Sequence, residues 1–179
     1  MFVFMTLFFF NSNNPESPDL NSVRPCEEFA PHVCSFIQSV RYLAEREMRH
    51  HGIPSSITIA QAILESGYGT SVLAIEGNNY FGIKGGYNQC EIYYKLEYYR
   101  CYDFVSVSFE DHSDFLLKKA PILALIRDGN IDHLDWAETI QEIDYATDPE
   151  YAEKLIDIIR RYDLVQFDIK DQDIASEKE

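Results

Sequence analysis

Positive charge is scarce in this 179-residue chain, where 15 Lys and Arg stand against 30 Asp and Glu for a formal net charge of −15. Phosphate backbones are held by clustered Lys and Arg, so the composition excludes a nucleic-acid partner. An anionic membrane surface would repel such a chain as well. Apolar runs are short too. MFVFMTLFFF (residues 1–10) falls far below the roughly 20 residues that a bilayer-spanning helix needs, so no stable membrane insertion is expected. That run has the apolar character of an export signal, without basic residues before it or a clear cleavage site after it. It reads either as a signal peptide or as a sticky disordered end. On the export reading the protein is secreted, periplasmic or held in the cell envelope. No internal repeat and no phosphate-cradling glycine loop is present, and no metal or organic cofactor is indicated. The four cysteines, Cys26, Cys34, Cys90 and Cys101, permit two disulfides without requiring them. A zinc site needs tightly spaced ligands, and only Cys26, His32 and Cys34 approach that spacing; the cluster reads as structural.

What the chain does have is apolar and aromatic material. Hydrophobic residues make up 46%, enough for a real core, and the length suits one compact domain. There are 12 Tyr and 12 Phe against one Trp. Tyrosine offers a stacking face and a hydroxyl, which suits sugars, although most such side chains pack at core edges. Residues 1–26 read as the apolar segment and a linker, 27–166 as the folded domain, and 167–179 as an acidic, frayed tail.

Periodicity supplies the outline. Val33, Phe36, Ile37, Val40, Leu43, Ala44 and Met48 recur at helical spacing, predicting a helix from about Glu27 to His51 that Gly52 and Pro54 stop. A second helix is expected over 55–66, with Ser55 as N-cap and Gly67 as exit. Residues 69–89 are rich in Gly and Asn and read as turns with a short helical piece near 70–75. Residues 90–104 have β character. A tight turn at Lys95-Leu96 would set Cys90 against Cys101 and Glu91 against Arg100, although Lys-Leu is poor turn chemistry. Helical spacing returns with Phe109, His112, Phe115, Leu116 and Lys119, on a helix that Pro121 is expected to end. Further helices are expected over 122–129 and 133–142. Thr147-Asp148-Pro149-Glu150 reads as the start of a last helix, which buries Ala152, Leu155, Ile159 and Tyr162. The outline is mainly helical with one small β-rich insertion.

Within QAILESGYG (61–69), Glu65 closes a helix whose carbonyl end already carries partial negative charge. Its neighbours Ile59, Ala60, Ala62, Ile63 and Leu64 are apolar. Partial burial and the helix end both disfavour the ionised form, so both raise its pKa. A carboxylic acid held protonated near neutrality is what a general acid requires.

GIPSSITIAQAILESGYGTSVLA (52–74), NNYFGIKG (78–85), YYRCYDF (98–104), SFEDHSDFL (108–116) and YATDPEYAEKLIDIIRRYDL (145–164) follow one another in order. Over roughly 33–164 the chain resembles the peptidoglycan-cleaving endo-β-N-acetylglucosaminidases of glycoside hydrolase family 73. The resemblance implies a lysozyme-like α+β fold, with a helical lobe and a small β-hairpin lobe flanking a substrate groove. It implies cleavage of the β-1,4 bond after N-acetylglucosamine in peptidoglycan glycan strands, with Glu65 as general acid and Tyr145 lining the catalytic site. Tyr68, Asn78, Asn79, Tyr80 and Phe81 are the implied substrate-binding residues, although turn chemistry alone also explains the asparagines. A second carboxylate, Glu91 or Glu97, lies before Tyr99-Arg100-Cys101-Tyr102, and the substrate's own N-acetyl group could replace it. Two alternatives are a lytic transglycosylase on the same fold and a non-catalytic glycan-binding or assembly module.

A strongly acidic enzyme gains nothing from long-range steering towards an anionic wall polymer. Raising ionic strength should therefore leave the rate of wall lysis unchanged or increase it, as screening weakens the repulsion. A steep fall with added salt, measured by turbidity of a wall suspension, would contradict that.

Overall fold

The computed structural model describes residues 28–85, 91–94 and 97–168. Helix α1 (Pro31–His51) starts later than its periodicity predicts, because Pro31 sits in the first turn, where a missing N–H goes unnoticed. It stops at Gly52, whose backbone is left-handed (φ 75°) and whose N–H donates to the Met48 carbonyl at 2.9 Å. Helix α2 (Ser55–Ser66) has the expected bounds. Its N-cap is Pro54, however, not Ser55, so the cap residue itself supplies no side-chain acceptor to the first turn.

Helix α2 is the interior element. Ile57, Ile59, Ala60 and Ala62 are fully enclosed and Ile63 nearly so. A helix that is apolar on every side must be surrounded, and α1 and three later elements pack around this one. Each enclosed large aliphatic side chain stabilises the fold by about 1.5–3 kcal/mol. The polar residues Ser55, Ser56, Thr58, Gln61 and Ser66 of α2 are buried as well, and each finds a partner. Thr58 Oγ1 donates to the Pro54 carbonyl. Ser66 Oγ donates to the Ala62 carbonyl and accepts from Gly69 N–H at 2.7 Å. Gln61 uses both ends of its amide.

A short helix, α3 (Val72–Gly77), is capped by the Ser71 side chain and ends at Asn78, which takes a left-handed conformation (φ 49°). The β-lobe is an antiparallel hairpin of β1 (Glu91–Tyr94) and β2 (Glu97–Arg100), with Glu91 opposite Arg100 and Tyr94 opposite Glu97. This is the register that a two-residue connection dictates; the expected turn at Lys95-Leu96 lies outside the described residues, as does Cys90. Lys84 forms a bridge to Tyr99 on the other edge of β2, which ties the hairpin to the loop after α3.

Helices α4 (Val105–Leu117), α5 (Ala120–Arg127), α6 (His133–Glu142) and α7 (Tyr151–Arg161) follow, then a 3-10 turn at Leu164–Phe167. Of these, α6, α7 and the 3-10 turn close around α2. Two expectations need correction. Pro121 does not end α4, which stops at Leu117; it lies in the first turn of α5, where proline is welcome. The last helix does not start within Thr147-Asp148-Pro149-Glu150: its N-cap is Glu150 and no side chain caps it, while Asp148 Oδ1 accepts from Glu150 N–H at 3.0 Å and Pro149-Glu150 form a turn before the helix. The expected buried face of Ala152, Leu155, Ile159 and Tyr162 is buried. The result is a mainly helical α+β fold.

Phe167 and Asp168, expected in the acidic frayed tail, are part of the fold. Phe167 packs against the core, and Asp168 is buried, accepting from Ser56 N–H at 2.8 Å and from Ser56 Oγ at 2.7 Å. The pattern missed this because an aspartate in an acidic run reads as solvated, whereas the uncapped start of α2 needs an acceptor. Residues 169–179 and 1–27 lie outside the described residues. Burial raises the Asp168 pKa from the ordinary 3.8 to about 6, against the opposing hydrogen bonds from Ser56. The sign follows from a folded value above the unfolded one. The cost of burying the charge is absent below the ordinary value and fully present above about pH 6. Asp168→Ala should lose about 1–3 kcal/mol by orphaning Ser56 N–H. Asp168→Asn should keep most of the stability and flatten its pH dependence across that window, as chemical denaturation at several pH values would show.

Candidate active site

Glu65 lies in the last turn of α2, next to Ser66 and the left-handed Gly67 (φ 56°) that turns the chain away. It is half-buried. Tyr151, at the first position of α7, donates its hydroxyl to Glu65 Oε1 at 2.7 Å. Behind Tyr151, Gln61 Nε2 donates to the tyrosine oxygen at 3.3 Å, and Gln61 Oε1 lies 3.1 Å from His112 Nε2. Gln61 is one helical turn before Glu65, so both point to the same side of α2. Burial raises the Glu65 pKa above the usual 4.5, and the Tyr151 hydrogen bond opposes it. The carbonyl end of α2 acts in the same direction as burial. Oε2 has no hydrogen-bond partner among the described residues and is not sealed from solvent.

Tyr145 is half-buried beside this acid, its ring 5.6 Å from Tyr151, 5.7 Å from Phe115 and 6.0 Å from His112. Burial, then the nearby Glu65 and Tyr102, push its pKa well above 10, so it presents a neutral hydroxyl. On the β-lobe side, Tyr102 donates to Asp111 Oδ2 at 2.6 Å, and Arg100 Nη1 contacts both oxygens of Asp111 at 2.8 and 2.6 Å. Arg100 Nε donates to the Gly85 carbonyl, which fastens the hairpin to the loop. Arg100 faces Glu91 in the register, as expected, and its guanidinium grips Asp111. The side chains of Glu91 and Glu97 lie outside the described residues.

The residues expected to bind substrate divide into two groups. Tyr68 and Tyr80 keep partial exposure. Tyr68 takes a left-handed backbone (φ 59°) and shares a 2.8 Å hydrogen bond with the Tyr162 hydroxyl; burial and that partner push its pKa up to about 12. Tyr80 stacks on Phe36 at 6.0 Å. Asn78, Asn79 and Phe81 are committed to the protein instead. Asn78 Nδ2 donates to the Tyr102 carbonyl at 2.7 Å. Asn79 is buried, donates to the Ile83 and Arg100 carbonyls and accepts from Ile83 N–H. Phe81 is buried and stacked 3.9 Å from His112. Their side chains brace the loop between α3 and the hairpin, which is the turn chemistry weighed for the asparagines.

Tyr151, Gln61 and His112 were not singled out from the sequence. Gln61 could have been, since a polar residue four before Glu65 on an apolar helix has to meet a partner. Tyr151 carried a weaker signal, being four residues before Leu155 on the buried face of α7. Among the described residues no cluster of His, Cys, Asp and Glu is arranged to hold a metal ion. Cys34 is disulfide-bonded, which removes its thiolate from the Cys26, His32 and Cys34 grouping, and Cys101 is disulfide-bonded too.

Residues 41–164 match the family described as mannosyl-glycoprotein endo-beta-N-acetylglucosaminidase. The exo-glucosaminidase LytG of Bacillus subtilis is 34% identical over 137 residues, covering 67% of this chain and 48% of its own length. A probable N-acetylmuramidase of Lactococcus lactis is 32% identical over 152 residues, 75% of this chain and 34% of that protein. This chain thus spans about half of these relatives' length or less. Among solved structures, the catalytic domain of the autolysin Auto from Listeria monocytogenes superposes with a TM-score of 0.68. It is 29% identical and covers 78% of this chain and 89% of that one. With the matched segment running from the middle of α1 through α7 to the start of the 3-10 turn, and the fold shared, the chain belongs to this glucosaminidase family of glycoside hydrolases.

Proposed function

We propose that the protein is a peptidoglycan hydrolase that cleaves the β-1,4 bond between N-acetylglucosamine and N-acetylmuramic acid, with Glu65 as general acid. The observation that carries this reading is the placement of Glu65. Burial favours its protonated form, one oxygen is fixed by Tyr151, and the other is left to reach a ligand. In the proposed step Glu65 passes its proton to the glycosidic oxygen as that oxygen takes the electron pair of the breaking bond to the anomeric carbon. Water then adds at the anomeric carbon and returns a proton to Glu65. The neutral hydroxyl of Tyr145 stands beside the acid as a hydrogen-bonding group for sugar or transition state. The second group would be Glu91 or Glu97 of the hairpin, or the substrate's acetamido oxygen acting as internal nucleophile.

The names of the relatives favour one further reading, since they include both glucosaminidases and a muramidase. Cleavage on the other side of the sugar, by hydrolysis or by lytic transglycosylation, would use the same acid. The disulfides at Cys34 and Cys101 support action in an oxidising compartment outside the cytoplasm. No helix among the described residues is long and apolar enough to cross a membrane.

Wall digestion followed by mass spectrometry separates these chemistries. Reducing-end N-acetylglucosamine is the expected product; reducing-end or anhydro-muramic acid would overturn the bond assignment. Glu65→Gln keeps an acceptor for Tyr151 while removing the acidic proton. It should lower kcat by about 100-fold or more and leave the melting temperature equal or higher, because a desolvated carboxyl is removed. Undiminished lysis by Glu65→Gln would eliminate Glu65 as the acid.

A further inference from the structure

His112 is fully enclosed on α4, covered by Phe81 at 3.9 Å and edged by Tyr145. Its Nε2 lies 3.1 Å from Gln61 Oε1. An amide oxygen only accepts, so Nε2 must carry the hydrogen. The other nitrogen points to the same tautomer. Nδ1 is buried without a partner, and an unpaired lone pair is a cheaper orphan than an unpaired N–H. Burial pushes the His112 pKa down to about 3, against the pull of Asp111 beside it on α4, so the ring stays neutral.

That tautomer sets the direction of every bond that follows. His112 Nε2–H donates to Gln61 Oε1, Gln61 Nε2–H donates to Tyr151, and Tyr151 O–H donates to Glu65 Oε1. With Gln61 turned the other way, its oxygen would face Tyr151. Tyr151 would then commit its single proton to Gln61. Glu65 could satisfy Tyr151 only by turning its own acidic proton inward through Oε1. The chain of three donors prevents this.

We propose that His112 is a positioning residue, which acts through Gln61 and Tyr151 to keep Glu65 Oε1 an acceptor and so confines the acid's transferable proton to Oε2. The inference rests on Glu65 being the general acid and extends that reading to a residue with no contact to Glu65. The titratable groups around the acid are Tyr151 on α7, Tyr145 before it, and Tyr102 with Asp111 and Arg100 on the β-lobe side. None of them changes in the variants below.

The test compares His112→Phe, His112→Asn and His112→Gln on purified peptidoglycan, reading kcat, KM and the pH profile of kcat, with circular dichroism to verify folding. Phenylalanine removes the donor and keeps the stack on Phe81. Asparagine puts an N–H near the Nδ1 position, while glutamine puts one near Nε2. The Phe and Asn variants should lose roughly 10- to 100-fold in kcat with KM little changed. Their basic limb should move to higher pH, because the Tyr151 bond that lowers the Glu65 pKa is lost. His112→Gln should recover both. Gln61→Met, which interrupts the same chain at similar volume, should reproduce the loss and the shift. Wild-type kcat and limb in the Phe and Gln61→Met variants would overturn the inference, and so would a Gln variant as impaired as Asn. Activity surviving in Glu65→Gln defeats the acid assignment itself. A dead Glu65→Gln beside normal His112 variants defeats only this inference.

Discussion

A helix enclosed on all sides has to satisfy every polar group it carries from within the protein, and α2 imposes that condition on everything around it. Ser56 reaches Asp168, 112 residues away, and Gln61 reaches Tyr151 and His112. These bonds fix the 3-10 closing turn, α7 and α4 against one central rod. Glu65 is the last side chain on the rod with a choice, since one of its oxygens is held and the other is not. The geometry around the proposed acid and the core packing are therefore one network. A shift of α7 relative to α2 would disturb both.

The same enclosure supplies the chemistry. Desolvation of Glu65 disfavours its charge, which costs stability at neutral pH and favours the protonated form that the proposed acid needs. Tyr151 works against desolvation, since its bond favours the ionised acceptor. Desolvation is the larger effect, so the net shift is upward. The Tyr151 bond gives orientation at a modest expense in the protonated fraction, which suits a group proposed to donate a proton first and then take one back. Around it, Arg100, Asp111 and Tyr102 clamp the β-lobe to α4, and Asn79 staples the intervening loop to the end of β2. The two lobes are thus held together by side-chain bonds.

Much of the architecture could be read from the chain. The bounds of α2 and α6, the stop at Gly52 and the buried face of α7 follow from apolar spacing and turn residues, whereas the hairpin register was reached only by supposing a Lys95-Leu96 turn against its poor turn chemistry. Local signals failed where a partner distant in sequence decided the outcome. Asp168 sits in an acidic run and looks solvated until the bare N–H groups of Ser55 and Ser56 are brought to it. Pro121 reads as a breaker, yet the chain had already left α4 at Lys118 and the proline opens the next helix. For the site, the apolar neighbours of Glu65 and its position at a helix end were enough to predict a raised pKa, and burial is the cause the structure shows. Tyr151 and His112 became visible only when α4 and α7 were packed on α2, because a hydrogen bond across 86 residues leaves no local period.

Everything proposed for the reaction depends on Glu65 remaining protonated when a glycan arrives. Carboxyl ¹³C NMR of selectively labelled protein follows that proton directly, with no turnover involved. The titration midpoint of Glu65 should lie above 4.5 in the wild type and higher still in Tyr151→Phe, where the opposing hydrogen bond is gone. A wild-type midpoint at or below 4.5 would mean that burial does not control this carboxyl, and the account of Glu65 as the acid would fail.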